Sequence, residues 1–363
     1  MSPFRQTTVS GFPAIALRGD ELEVVVVPAL GMKLTNLRRP RGREWLWRND
    51  QLPLAPPRPE ASFVETADSG GWDECFPTVA PSPVPGSAAG TPPLPDHGEL
   101  WSAAWTSSVY AHAGGATLAA AASGRLLPYE FHRELTVDPH EPLLRLGYRV
   151  RNTGSTPFPW IWCAHPLLTV QPGTSLELPT MHQVTLDAVH GIPELSRGDI
   201  AAWPGALGGD GGRFVFPDSG AWAVKLFGDV GPSGRMVLTD PRRGERLEML
   251  VRPDEVPQVG IWINNRGWAP AGRRPYSNLG LEPAIGAPDS LEEAVRDWKT
   301  AQTLEPGGVR SWELELRLLE RIEEQIREVV PNSVVDTHLE PIEDPVSWED
   351  TRLERPAGDN VTQ

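Results

Sequence analysis

Two histidines and one glutamate stand in short motifs whose residue types favour acid/base chemistry. His97 lies in a loop beside glycine and proline, while His165 and Glu282 each follow an apolar run and precede a proline. A carboxylate within an apolar segment must either find partners or change its protonation state. An imidazole gives and takes protons near neutral pH. If the three side chains converge, they supply general acid/base chemistry for a neutral polar substrate.

Each of these residues also has a purely structural interpretation. Glu282 could be a buried acid paired with Arg273 or Arg274, and His165 could be a core histidine bonded to backbone groups. The aspartate before His97 could orient the imidazole or simply end a turn. We expect His165 and Glu282 to lie at strand ends, where their side chains would reach a sheet edge or the mouth of a cleft.

A second polar and aromatic cluster contains Trp72, Asp73 and Glu74. Its carboxylates could hold hydroxyl groups while the indole stacks on an apolar ligand face, and Trp101 follows the His97 loop. The paired acids could instead bind a cation, but no two-histidine spacing supports a metal site and we predict none. The sequence has no phosphate-binding Gly loop with Lys, no dinucleotide fingerprint and no nucleophile elbow.

Composition excludes several classes of protein. The net charge of -15 disfavours nucleic-acid binding. No apolar run approaches the ~20 residues of a membrane helix, and two cysteines are too few for a disulfide framework. We therefore expect a cytoplasmic protein, monomeric or homodimeric, that binds neither nucleic acid nor membrane. Positive charge comes almost wholly from Arg, and we attribute the scarcity of lysine to coding bias, the only lysines being Lys33, Lys225 and Lys299.

Strand signals dominate the chain. Short β-branched or alternating runs are separated by Gly- and Pro-rich turns, and 39 Pro with 35 Gly exclude long helices from most of it. The pattern predicts an all-β fold, a large antiparallel β-sandwich with a few short helices. The clearest predicted strands are Leu22–Val27, Leu143–Arg151, Trp222–Phe227 and Trp312–Leu318.

Outside the predicted strands, the sequence indicates one long loop, two helical segments and an acidic tail. Pro81–Pro95 indicates an ordered surface loop or a lid, and Ser290 is typical of a helix start. Leu319–Val330 has helical spacing of Ile and Val. We predict one domain over residues 1–320, followed over 321–363 by a C-terminal helix and an acidic tail.

Taken in chain order, these motifs resemble the aldose 1-epimerase (galactose mutarotase-like) family. The order is a His-Gly loop followed by Trp, an apolar strand with His-Pro, and an apolar strand with Glu-Pro. The resemblance covers roughly Pro3–Leu318. It departs at Trp101, where the family usually has Arg, and at Leu167, where an aromatic residue is usual.

The resemblance implies a β-sandwich of the mutarotase-like type that interconverts the anomers of an aldose or related sugar, a small molecule, without a cofactor. It assigns Glu282 as general base and His165 as general acid. The expected substrate-binding residues are His97, Trp72, Asp73, Glu74, Trp101 and Trp262. The alternatives are a carbohydrate-binding protein that has lost catalysis and a lyase or hydrolase on a related sandwich. A hydrolase would need Asp73 or Glu74 as a second carboxylate near Glu282.

Overall fold

The computed structural model describes residues 2–56, 58–88 and 90–320. Its larger sheet has eleven strands, in the spatial order β1-β2-β3-β4-β5-β11-β20-β19-β16-β13-β14. In that order the strands are Phe4–Val9, Phe12–Arg18, Glu23–Val27, Lys33–Arg38, Gly71–Cys75, Trp162–Leu168, Ser277–Ile285, Gln258–Asn265, Trp222–Asp229, Gln183–His190 and Ile200–Ala202.

A second sheet of nine strands has the order β15-β12-β17-β18-β22-β9-β8-β7-β6. These strands are Arg213–Val215, Ser175–Glu177, Arg235–Asp240, Glu245–Val251, Val309–Glu320, Leu143–Asn152, Tyr129–Val137, Gly115–Ser123 and Thr106–His112. A small sheet pairs β10 (Phe158–Trp160) with β21 (Gln302–Leu304). Helical structure in the described residues is short, comprising α1 (Leu291–Glu293), a π-helical turn (Ala294–Trp298) and the 3-10 turns Pro28–Leu30, Leu100–Ser102 and Gly205–Leu207.

Alternating hydrophobicity places the core between the two large sheets. In β8 every second residue is buried, from Tyr129 through Val137, and β22 alternates similarly from Trp312. Such strands bury one face and leave the other partly solvated. Apolar side chains from both large sheets form one buried cluster. The predicted all-β antiparallel sandwich is confirmed, and the four clearest predicted strands correspond to β3, β9, β16 and β22.

The central strands of the larger sheet present a second set of side chains on the face turned away from this core. Because strand residues alternate between faces, direct cross-strand partners share a face. Asp73 of β5 is the partner of His165 in β11, and Glu282 of β20 is the partner of Gly260 in β19. Lys225 of β16 is the partner of Trp262 in β19. This outer face of five adjacent strands carries the candidate site.

The expectation that His165 and Glu282 end their strands is wrong. Both lie inside strands, and the prolines that follow them do not terminate β11 or β20. Instead, the pairing of β11 with β20 is interrupted between Cys163–Ala284 and Leu167–Gly280. Pro166 and Pro283 stand in the interrupted stretch, where a proline has no N–H to contribute to a ladder. The two prolines therefore open the sheet locally where His165 and Glu282 face each other.

The helix prediction at Ser290 is confirmed, because its side chain accepts a hydrogen bond from the Glu293 N–H at the start of α1. The predicted helix over Leu319–Val330 is wrong at its first two residues, which extend strand β22. Its remainder and the predicted tail over 321–363 lie outside the described residues, so the domain boundary stays a prediction. Across residues 2–56, 58–88 and 90–320, no helix is long and apolar enough to cross a membrane.

Candidate active site

His165 and Glu282 form the centre of the site. The His165 Nε2 atom lies 3.9 Å from Glu282 Oε1, and both side chains are almost fully buried. Burial, followed by the nearby positive charges of His97 and Lys225, holds the pKa of His165 well below its ordinary value. A lowered pKa favours the neutral imidazole and makes the protonated ring a stronger acid than an ordinary imidazolium.

Two glycines make room for the Glu282 carboxylate. A Cβ atom on Gly280, two residues earlier on the same strand face, would lie 2.5 Å from Glu282 Oε1. A Cβ on Gly260, the cross-strand partner, would lie 3.1 Å from Glu282 Oε2. The carboxylate thus lies along the sheet over two positions that carry no side chain, and it is not paired with Arg273 or Arg274.

Glu282 is instead paired with a lysine that the sequence analysis did not single out. The Lys225 ammonium contacts Glu282 Oε2 and lies 3.2 Å from Asp289 Oδ1. Burial would lower the pKa of Lys225, but the charges of Asp289 and Glu282 outweigh it and raise that pKa. Burial raises the pKa of Asp289 to about 6, against the opposing charge of Lys225.

His97 approaches the centre from its loop in a rarely used backbone conformation. Its φ of 58° lies in the left-handed region, and its N–H donates to the Val79 carbonyl at 2.6 Å. Its Nδ1 atom lies 2.7 Å from Asp96 Oδ1, so that aspartate orients the ring. Burial would raise the pKa of Asp96, but the bond and charge of His97 outweigh it and lower that pKa. A non-glycine residue at positive φ persists only where its surroundings hold it.

Aromatic rings connect His97 to His165. Phe63 stacks on the His97 ring with centroids 4.0 Å apart, and the His97 and His165 rings are perpendicular at 4.9 Å. Trp101 packs edge-on against Phe63, and its indole N–H donates to the Asp96 carbonyl at 2.8 Å. Trp101 is buried and stabilises the His97 loop through these two contacts.

The side chains open into a cavity of about 300 Å³. Its wall includes His97, His165, Lys225, Glu282 and Asp289. An aromatic wall completes it, formed by Trp262, Trp268 and Tyr276 in successive edge-to-face contacts. The cavity therefore combines acid/base groups with flat apolar surfaces, the combination that suits the C–H faces and hydroxyls of a sugar ring.

The sequence-predicted residues divide into two groups. His97, His165, Trp262 and Glu282 line the cavity, whereas Trp72, Asp73, Glu74 and Trp101 do not. Asp73 is buried beside His165 on the same sheet face and is paired with Lys33. No group of three or more potential His, Cys, Asp or Glu metal ligands occurs in the part of the chain that the structure describes.

Trp72 and Glu74 face the opposite side of β5, inside the sandwich. Glu74 accepts hydrogen bonds from the indoles of Trp72 and Trp162 and from the Tyr148 hydroxyl, at 2.9–3.1 Å. Its carboxylate also lies 2.9 Å from the Arg133 guanidinium, and both side chains are fully buried. Burial raises the pKa of Glu74 to about 7 despite these partners. Glu74 therefore joins the two large sheets, which explains its place in a fully buried strand.

Several cavity residues were missed because they lie in unremarkable sequence. Phe63 and Asp289 are in loops, and Trp268 and Tyr276 flank a turn. A usable signal existed only for Lys225, which is one of three lysines and interrupts an apolar strand. The attribution of the lysines to coding bias overlooked that Lys33 and Lys225 are both buried against carboxylates.

Comparison with known proteins finds similarity in structure only. No family model and no curated protein sequence matches the chain. Among solved structures, Slr1438 from Synechocystis sp. PCC 6803 is 17% identical with a TM-score of 0.62, covering 84% of this chain and 95% of its own. A putative mutarotase, YeaD, from Salmonella typhimurium is 11% identical with a TM-score of 0.62, covering 88% of this chain and 94% of its own.

A putative aldose 1-epimerase from Escherichia coli K12 is 16% identical with a TM-score of 0.59, covering 87% of this chain and 99% of its own. Structural similarity at this level of sequence identity establishes the fold. The function has to be argued from the residues of the site. The resemblance read from the ordered His and Glu motifs is confirmed at the level of the fold. This chain has the galactose mutarotase-like β-sandwich fold.

Proposed function

We propose that this protein is a mutarotase-like enzyme that interconverts the α and β anomers of an aldose or related sugar. The observation that carries the proposal is the 3.9 Å separation of His165 Nε2 and Glu282 Oε1 in one wall of the cavity. Ring opening needs a base at the anomeric hydroxyl and an acid at the ring oxygen. These two oxygens share one carbon, so the acid and the base must lie within a few ångströms of each other.

The proposed reaction has two symmetrical halves. The Glu282 carboxylate removes the proton from the C1 hydroxyl while the C1–O bond of the ring breaks and the His165 imidazolium protonates the ring oxygen. The open-chain aldehyde then rotates about its C1–C2 bond. His165 takes the proton back as the hydroxyl attacks the other face of the carbonyl, and Glu282 returns its proton to the new anomeric oxygen.

The remaining cavity residues have supporting roles in this proposal. His97, held by Asp96, presents its other ring nitrogen for a sugar hydroxyl, and the aromatic wall offers stacking surfaces. Trp72, Glu74 and Trp101 contribute to packing instead of sugar contact. Asp73 lies beside His165 on the same sheet face, where it is paired with Lys33 and does not line the cavity.

The test is Glu282→Gln, which keeps the shape of the side chain and removes the base. We expect the rate of anomer interconversion, followed by polarimetry with a panel of aldoses, to fall by roughly 10²–10⁴-fold. Circular dichroism should stay that of the wild type, while the thermal midpoint should fall, because the buried Lys225 keeps only Asp289 as a carboxylate partner. Undiminished activity in this variant would exclude Glu282 as the base.

The competing function is carbohydrate binding without catalysis. Sugar binding by calorimetry in a wild-type protein that does not accelerate mutarotation would establish it. Acceleration that requires Glu282 would reject it.

A further inference from the structure

Lys225 occupies an unusual position for a lysine. It lies in the middle of β16, between apolar residues, and its side chain is only 7% exposed. Desolvating an ammonium group is costly unless carboxylates compensate it. Here Glu282 and Asp289 both do so, and all three side chains line the cavity.

The contact with Lys225 makes the two oxygens of Glu282 inequivalent. Oε2 is held by the ammonium, whereas Oε1 has no hydrogen-bond partner among the described residues and faces His165. An unpartnered carboxylate oxygen that is itself buried at the wall of a polar cavity can accept a proton from a molecule bound against it. The arrangement therefore fixes which oxygen acts as base.

We propose that Lys225 is a positioning residue for the anomer interconversion, one that holds Glu282 through Oε2 and leaves Oε1 turned toward the substrate. This inference rests on the proposed function of Glu282 as the base. Lys225 acts through Glu282 and need not touch the reacting atoms.

Electrostatics explain why such a group is needed. Glu282 is almost fully buried, and Asp289 places a second carboxyl group beside the same ammonium. Burial and a neighbouring like charge both favour the protonated form of a carboxyl group. The ammonium of Lys225 is the opposite charge in contact with Glu282, so its removal is the change that tests this pairing.

The experiment compares Lys225→Met, which keeps an unbranched side chain as far as Cε and removes the ammonium, with Lys225→Arg, which keeps the charge. In Lys225→Met we expect kcat to fall by about 10-fold or more and KM to change by less than about 3-fold. The acid limb of the kcat/KM profile should move to higher pH by about one unit or more. Lys225→Arg should restore the position of the acid limb, even if its bulk lowers kcat.

Lys33→Met is the matched control. Its side chain is 8% exposed and is paired with Asp73 on a neighbouring strand, but it does not contact Glu282. It should destabilise the fold comparably and leave the acid limb in place. An unmoved acid limb in Lys225→Met, or an equal shift in both variants, would overturn the proposal.

A second readout separates this inference from the proposed function. In protein labelled with ¹³C at glutamate carboxyl carbons, the Glu282 resonance is assigned by its loss in Glu282→Gln. Its titration midpoint should rise in Lys225→Met and not in Lys33→Met. If the wild type did not accelerate mutarotation, the proposed function would fail, while this titration would still support or reject the hold of Lys225 on Glu282.

Discussion

The most consequential property of any single residue is the neutrality of His165. The pKa of this histidine is lowered by burial and then by the positive charges of His97, Lys225 and Lys33. Acid catalysis needs the protonated imidazole, while base catalysis needs the ionised Glu282. Within the proposed mechanism, the active form therefore combines a histidine whose pKa is lowered with a carboxylate that Lys225 holds in place.

This combination predicts an acidic pH optimum. Because the pKa of His165 lies below 6.5, the imidazolium is lost as the pH rises through that lowered pKa. The alkaline limb of kcat/KM for the free enzyme should accordingly fall below pH 6.5. Polarimetry across buffers, with the uncatalysed rate subtracted, measures it.

Lys33→Met provides a directional check on the same prediction. Removing one of the three positive charges that depress the pKa of His165 should move the alkaline limb upward. An alkaline limb at or above pH 6.5 in the wild type would show that the acid is not the His165 imidazolium.

At the scale of elements, the site depends on missing backbone pairing between two strands and on missing side chains at two glycines. Strands β11 and β20 are not paired where His165 and Glu282 oppose each other, and the prolines in that stretch have no N–H to donate. Beside this opening, Gly280 and Gly260 leave the space over which the Glu282 carboxylate lies. If β11 and β20 were paired along their whole length and had a side chain at every position, the Glu282 carboxylate would have no space to lie along the sheet beside His165.

The sequence predicted the sandwich and the meeting of the His and Glu motifs, but not the local geometry of the site. Alternation in β9 and β22 predicted the sandwich, and the order of the His and Glu motifs predicted which residues meet. The same rules misplaced Pro166 and Pro283 at strand ends, because a proline usually breaks a central strand. Nothing local indicated that Lys225 would face Glu282, since that contact depends on the registers of β16, β19 and β20.

The glycine beneath the carboxylate gives a prediction at this scale. In Gly280→Ala the new methyl group would lie 2.5 Å from Glu282 Oε1, at the far end of a side chain that can move. The new methyl group would also lie 3.1 Å from Trp262 Cβ, so the fold should persist with its free energy of unfolding lowered by about 1–3 kcal/mol. Displacing the base should nevertheless lower kcat by roughly 10–100-fold.

Gly147→Ala in β9 is the matched control, because a Cβ there would have no atom within 4 Å. It should leave both kcat and stability near the wild-type values. Equal activity in Gly280→Ala and the wild type would show that the position of Oε1 is not critical.

At the scale of the whole molecule, net charge bears on which class of sugar the proposed enzyme would accept. The chain carries a net charge of -15. Of the cavity carboxylates, Asp96 is paired with His97 and Asp187 with Arg197 outside the cavity wall. Glu282 and Asp289 share the single ammonium of Lys225, the one Lys or Arg in the described cavity wall. Both the local and the overall field therefore repel anions.

We accordingly expect neutral aldoses to be better substrates than their phosphorylated forms. At low ionic strength, kcat/KM for a neutral hexose should exceed that for its 6-phosphate by about 10-fold or more, since an uncompensated like charge in a partly buried cavity costs over a kcal/mol. Salt screens charges beyond about 10 Å at 0.1 M, so the ratio should shrink as sodium chloride is added. Paired assays of one hexose and its phosphate across a salt series measure both effects. A phosphorylated sugar converted as fast as the neutral one at low salt would mean that a cation outside the described cavity wall receives the phosphate, and that the acidic wall does not set the substrate class.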